Sequence, residues 1–415
     1  MHPFTLLFVV AIAAGLATQL WLLRRQARAA RAGRERVPAP FAAAVSASEH
    51  ARAADYTVAQ ARLAMAEHAA GAALLVLLTL GGGIAAIDAA ASRAGLAGMP
   101  RELATVASVM FLLALVGLPF DAWRTFRIES RFGFNRTTPA LFAADVLKGF
   151  VIGAVLLLPL VALLLWLMRR TGGAWWLWAF GAWAAFTLLL GWAWPRVIAP
   201  MFNAFRELEP GPMREGVESL ARRCGFEPKG VLVMDGSRRS SHGNAYFTGF
   251  GRTKRIVLFD TLLTSLVVPE VEAVLAHELG HFRLRHVALR LASTLAASFA
   301  GFAFLAWIAG EDWFQPALGV GAGGPHTLLL LFTLAVPVFL FPLRPLTAWL
   351  SRRHEFAADR FAARHSSAAA LADALVKLHR DNAVTLTPDR VYTAFYASHP
   401  PALARIAKLV PERLR

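Results

Sequence analysis

Apolar residues along this chain gather into seven runs, each long enough to cross the ~30 Å hydrocarbon layer of a bilayer. They cover roughly residues 4–22, 68–90, 102–120, 146–168, 174–195, 287–309 and 327–349. One such run can be a buried helix of a large soluble protein; seven together argue against that. Asp88 lies near one end of the second run, and Arg290 lies close to the start of the sixth. Gly81-Gly82-Gly83 and Pro337 are the notable breaks. Between the runs the pattern changes. Residues 24–67 and 121–145 read as amphipathic linkers with helical segments. Val217, Leu220, Ala221 and Cys224 recur at i, i+3, i+4 and i+7, which predicts a helix over 213–224. Short apolar runs bounded by turn residues predict strands over 231–234, 245–248 and 256–259, with a hairpin between the last two. A further amphipathic helix is predicted over 368–382.

Composition sharpens this picture. The chain has 415 residues, 57% apolar and 17% charged, where soluble domains carry about 45–50% and about 25%. Intrinsic disorder is excluded, because such chains have little apolar surface to bury. A single cysteine, Cys224, excludes an internal disulfide and a thiolate metal cluster, so any metal must rest on histidines and carboxylates. The formal charge is +16. A soluble nucleic-acid binder would need a charged, soluble surface as well, so no nucleic-acid partner is expected; basic loops on one side of a membrane account for the charge.

The arginines also give a direction. Only His2 precedes the first apolar run, whereas a secretory signal needs a basic leader. Arg24, Arg25, Arg28, Arg31, Arg34 and Arg36 follow it, favouring an uncleaved anchor. The segment after the third run holds Arg124, Arg127, Arg131 and Arg136, while the opposite loops are poorer in arginine. The positive-inside rule then sets the N-terminus outside and the C-terminus in the cytoplasm. Regions 196–286 and 350–415 share the cytoplasmic side and can form one domain. The expected division is a membrane half, residues 1–195, with five transmembrane helices, and a second half, residues 196–415, that adds helices six and seven. A transporter or channel is the rival class, but runs one, four and five have no charge at their centres.

The chemistry concentrates in His277-Glu278-Leu279-Gly280-His281. On a helix, residues i and i+4 share a face, so both imidazoles can ligate one Zn²⁺ and Glu278 projects beside them as acid/base. Leu279 packs the other side, and Gly280 permits a close neighbour. A catalytic zinc needs a third protein ligand and an open position. Glu355, in His354-Glu355-Phe356-Ala357-Ala358-Asp359, follows the seventh run on the same side. Glu355 and Asp359 are again i and i+4; the natural division gives Glu355 to the metal and Asp359 to orienting a ligand histidine. His399, in the rigid Ser398-His399-Pro400-Pro401, is a candidate for stabilising an oxyanion. His286, His365 and His379 are expected at the surface. His242, in a turn, is expected to cap or hydrogen-bond.

These residues together resemble the CAAX prenyl protease 1 family of integral-membrane zinc endopeptidases. The pentad, Glu355 to Asp359 and Ser398 to Pro401 carry the likeness. So do Ser237 to Phe247, the run Arg255 to Leu263, Gly133 to Thr138 and Ala199 to Asn203. Gly243 departs from the family's serine, and Phe282 from its frequent tryptophan. The resemblance implies a mainly α, polytopic fold: seven transmembrane helices around an intramembrane chamber, and a cytoplasmic metalloprotease domain with a small β-sheet. It implies His277, His281 and Glu355 as zinc ligands and Glu278 as catalytic acid/base. Asn244, Ala245 and Tyr246 would form an edge strand where substrate binds extended, and His399 and Arg405 would hold the substrate or transition state. Expected partners are membrane lipids and a peptide or protein substrate, with lipidated ones among the candidates. The Ala/Arg-rich composition suggests a bacterial inner membrane, where a broader role in clearing membrane-associated peptides is the alternative. A shorter quality-control metalloprotease with about four spans is a further rival, and five runs before the pentad argue against it.

Overall fold

A computed structural model describes residues 2–226, 230–248, 255–321 and 323–414. Six helices build the first half: α1 (Pro3–Ala32), α2 (Ala47–Leu78), α3 (Gly83–Arg93), α4 (Gly98–Trp123), α5 (Pro139–Arg170) and α6 (Trp175–Ala193). The short α7 (Ala199–Phe202) leads to β1 (Phe205–Glu207), α8 (Pro212–Arg223), β2 (Val231–Met234), β3 (Ala245–Thr248) and β4 (Arg255–Phe259). Then come α9 (Asp260–Ser265), α10 (Val268–Arg283), α11 (His286–Ala309), α12 (Phe314–Ala317), α13 (Pro325–Leu340) and α14 (Arg344–His365). The chain closes with α15 (Ala368–Asp381), α16 (Arg390–Tyr396) and α17 (Ala402–Leu409).

Local chemistry sets several of these starts. Ser46 and Glu49 form a reciprocal capping box at α2. The Thr138 hydroxyl accepts from the Leu141 amide with Pro139 opening α5, and the Asp389 carboxylate accepts from two amides at the start of α16.

Among the described residues, seven helices are long and apolar enough to cross a membrane, so the chain is an integral membrane protein. Their outer faces are apolar: Leu147, Val151 and Val155, one helical turn apart on α5, are 65%, 55% and 65% exposed, as a lipid-facing stripe requires. Two boundaries differ from the sequence expectation. The second span is α2 itself, which starts at Ala47 and ends at Leu78. The glycines after it break the helix: Gly82 adopts φ +74, and a Cβ on Gly81 would meet the Leu77 carbonyl. Asp88 therefore lies on the separate α3. The seventh span carries Pro337 inside α13, passes through a 3-10 turn at Phe341–Leu343, and runs on as α14.

At one end of the bundle, fully buried His326 lies 3.0 Å from Asp88, and Glu102 pairs with Arg169. This ties α3, α4, α5 and α13 together. At the other end sits the sheet, in order β1-β2-β4-β3. β3 and β4 are antiparallel, as the expected hairpin requires, although the 249–254 connection lies outside the described residues. β2 pairs parallel to β4, and β1 adds antiparallel to β2; this three-residue strand was too short to predict. The sheet's buried face, with Val231, Val233, Ile256 and Leu258, packs into one core with Leu275, Ala276 and Leu279 of α10. Arg239 fastens this domain to the bundle, with Nε and Nη2 on Asp145 at 2.8 and 3.0 Å and Nη1 on Asn203 at 3.0 Å.

Gly280 sets the spacing of α10 and α14. A Cβ there would lie 3.1–3.2 Å from Phe361 Cβ and Ala358 Cα. Gly280→Val should therefore cost about 1–3 kcal/mol by overpacking. The check is a lower thermal midpoint of the detergent-solubilised protein; an unchanged midpoint would mean the crossing has slack.

Candidate active site at the crossing of α10 and α14

Both helices present an i, i+4 pair at their crossing. His277 and His281 come from α10; Glu355 and Asp359 come from α14. The backbone tilt that puts i and i+4 on one face aims all four side chains into the same space. His277 Nε2 and His281 Nε2 are 3.2 Å apart, and they lie 3.3 Å from Glu355 Oε2 and 3.3 Å from Glu355 Oε1 respectively. Tetrahedral zinc with ligand bonds near 2.0–2.1 Å spaces its ligand atoms by roughly 3.3 Å. The donor set and its spacing thus fit a metal ion. Buried Glu355 Oε2 also lacks a hydrogen-bond partner, as expected of a lone pair directed at a cation.

The outward nitrogens of the two rings are held in different ways. His277 Nδ1 lies 2.9 Å from Asp359 Oδ1, and an N–H there donates to the carboxylate. Arg405 clamps the same carboxylate from behind, with Nε to Oδ2 at 2.9 Å and Nη2 to Oδ1 at 2.5 Å, and its Nη2 is 3.2 Å from the ring. Arg405 is buried at 6% exposure. His281 Nδ1 instead meets His286 Nδ1 at 3.0 Å. His286 is itself buried and stacks on His354 with ring centres 4.1 Å apart. This corrects the surface placement expected for His286. Arg285 adopts φ +59 between α10 and α11, and this left-handed turn folds His286 back onto the pentad. No helical periodicity registers such a turn. His379 and His365 are also half-buried rather than free at the surface: His379 Nδ1 bonds the Leu375 carbonyl, and His365 stacks on Phe361.

Glu278 lies on α10 beside the cluster, and burial pushes its carboxyl above the usual carboxylate range. His399 joins from 44 residues beyond Glu355. Its Nε2 is 3.5 Å from Glu355 Oε1, yet its side chain remains 66% exposed, so it stands on the open side of the site. Ser398 Oγ bonds its Nδ1 at 3.0 Å. β3 is the sheet's edge and packs beside α10. Asn244 is exposed just before it, Ala245 is buried and Tyr246 half-buried. A cavity of about 890 Å³ runs beside this edge, bordered by Asn244, Gly243, His242, Tyr56 and Gln60. His242 is fixed there by Asn382 at 3.1 Å, by Glu129 at 3.5 Å and by stacking on Phe134. The Glu129 carboxylate holds its imidazole above the ordinary histidine range.

Known proteins resemble this chain in sequence and fold. Residues 26–204 match the family model described as CAAX prenyl protease N-terminal, five membrane helices, and residues 207–413 match peptidase family M48. The human CAAX prenyl protease 1 homolog is 34% identical over 379 residues, covering 80% of each chain. The Arabidopsis thaliana homolog is 36% identical over 313 residues, covering 74% of this chain and 72% of its own. The crystal structure of S. mikatae Ste24p superposes with a TM-score of 0.90 at 26% identity, covering 99% of both chains. With the sequence relationship extending over both halves and the metal-binding geometry in place, the chain belongs to peptidase family M48, as an integral-membrane metalloendopeptidase of the CAAX prenyl protease 1 type.

Proposed function

We propose that this chain hydrolyses peptide bonds with zinc held by His277, His281 and Glu355. The observation that carries this reading is the convergence of their three ligand atoms within 4.8 Å of one another. Zinc bound there supplies a Lewis acid that polarises the scissile carbonyl and makes water a better nucleophile near neutral pH. Glu278 takes a proton from the attacking water and returns it to the leaving amine. His399, on the open side, donates to the developing oxyanion. Asp359 fixes the tautomer and tilt of His277. Arg405 holds Asp359 in place, and its positive charge beside His277 favours negative charge on a substrate or transition-state oxygen.

Substrate binding follows from the sheet. Residues Asn244, Ala245 and Tyr246 open the edge strand, whose unpaired backbone groups can add an extended peptide as a further strand. The relatives are named for CAAX prenyl processing, so a lipidated C-terminal peptide is the first substrate class. The main-chain readout of an edge strand favours the second reading, a quality-control protease of broader specificity. We further propose a bacterial inner membrane with the N-terminus outside and the active site towards the cytoplasm. The arginine-rich helix ends around the sheet domain support this orientation. Membrane lipids are its partners, and nucleic acid is not. We retain the division into residues 1–195 and 196–415; the two family matches, 26–204 and 207–413, support a boundary in that region.

Three outcomes test these assignments. Glu278→Gln should lower peptide cleavage by about 10²–10⁴-fold while bound zinc, read by elemental analysis, stays at the wild-type ratio; surviving cleavage would remove Glu278 from its role. His286→Ala should weaken zinc binding in chelator competition by about 10–100-fold, because the His281 Nδ1–H loses its acceptor. Unchanged affinity would leave His286 a packing residue. Mass spectrometry of a farnesylated CAAX peptide and its unprenylated twin separates the substrate readings. Loss of the tripeptide from the prenylated peptide alone supports lipid recognition, and equal cleavage of both supports the broader protease.

A further inference from the structure

Four helices run towards the sheet domain as they leave the membrane: α1, α4, α6 and α14. Each carries a tryptophan followed four residues later by an arginine, on the helix itself or on the wider helical turn that continues it: Trp21 and Arg25, Trp123 and Arg127, Trp192 and Arg196, Trp349 and Arg353. In every case the guanidinium stacks over the indole. The Cζ to ring-centre distances are 5.1, 5.8, 5.1 and 4.9 Å. The four tryptophans are also alike in exposure, at 47%, 56%, 47% and 46%. Since i and i+4 lie on one face, each arginine sits one turn nearer the sheet domain than its tryptophan, and Arg127 and Arg353 are exposed together with theirs.

Each pair lies near a tie to the sheet domain. Arg25 binds Asp389 at the start of α16, and Arg352, next to Arg353, donates to the Thr393 and Ala397 carbonyls of the same short helix. Glu129, two residues beyond Arg127, meets His242. Asn203, seven beyond Arg196, meets Arg239. Every pair thus lies within about 10 Å, along its helix axis, of a tie to the sheet domain.

We propose that these four pairs form a collar that binds the phosphate groups of anionic phospholipids. An indole places an apolar body in the acyl region and a polar edge among headgroups. A stacked guanidinium that is exposed, as at Arg127 and Arg353, can offer its planar fork of N–H donors to the bilayer, and that fork matches a phosphodiester. Arg127 and Arg353 are exposed, and the net charge of +16 is complementary to an anionic leaflet. Arg25 also serves Asp389, and Arg196 also donates to the Trp192 carbonyl, so the exposed pair carries most of the lipid contact. The collar fixes the depth of the metal centre, because Glu355 follows Arg353 by two residues on α14.

The test uses the full-length protein in nanodiscs of mixed phosphatidylglycerol and phosphatidylcholine, with mass spectrometry of the lipids retained after purification. The wild type should hold phosphatidylglycerol above its bulk fraction. Arg127→Gln with Arg353→Gln should reduce that enrichment by roughly fivefold for each arginine, with phosphatidylcholine retention unchanged. Trp123→Leu with Trp349→Leu keeps every charge but removes the stacks, and should reduce the enrichment as well. Enrichment absent from the wild type, or unchanged in the arginine variant, overturns the collar. Enrichment unchanged in the tryptophan variant alone overturns the part of it that rests on stacking.

Discussion

One electrostatic constraint organises the cytoplasm-facing end of this molecule, as we orient it. Asp359, Glu355 and Glu278 bring three carboxyl groups into a small, largely buried space, and Arg405 supplies one fixed positive charge. With all three ionised, two negative charges remain uncompensated. Burying unpaired charge is expensive, and proteins resolve it by pairing, protonation or metal binding. A divalent cation among His277, His281 and Glu355 cancels that excess. The same constraint explains why Arg405 has to be buried. Without its guanidinium, Asp359 would face His277 uncompensated, and the tautomer of a ligand ring would depend on a carboxylate free to protonate.

This constraint reaches into the fold. The four side chains converge only if α10 and α14 cross at backbone distance, which is why Gly280 stands at the contact and Leu279 on the opposite, fully buried face. The sheet continues that packing: Leu258 of β4 and Ala276 of α10 share one core, so β3 is held beside the metal helix with its outer edge open. An edge strand is normally a liability that invites aggregation. Here it borders a cavity and lies against the bundle, where a single extended peptide can approach more easily than another sheet.

Much of this was legible from spacing. Two i, i+4 pairs of metal-type residues, with 74 positions from His281 to Glu355, point to the proposed ligands once both segments are read as helices. The membrane spans follow from length and hydropathy. What escaped prediction depends on backbone geometry or distant contacts. His286 lies five residues from His281, a spacing that a continuous helix would turn away; the left-handed turn at Arg285 reverses it. The second span was misplaced because apolar content continues through Gly81-Gly82-Gly83 while the helix does not. The parallel pairing of β2 with β4 and the approach of His399 to Glu355 join segments tens of residues apart, which local periodicity does not encode.

Depth in the membrane links the chemistry to the fold. Hydrolysis consumes water, which the hydrocarbon layer lacks, so a membrane peptidase needs a wet path to its site, from an interface or through a water-filled space among its helices. Six residues separate Trp349 from Glu355 on α14, about 9 Å of helix. If Trp349 marks the boundary between acyl chains and headgroups, the metal ligands sit at headgroup depth, enclosed by protein on most sides. His399, exposed beside a nearly inaccessible Glu355, shows on which side solvent meets them. A peptide anchored in the bilayer can then reach the site without leaving the membrane. For a peptide held in the bilayer near that depth, anchoring would raise the effective concentration of one class of substrate without any contact to the scissile bond.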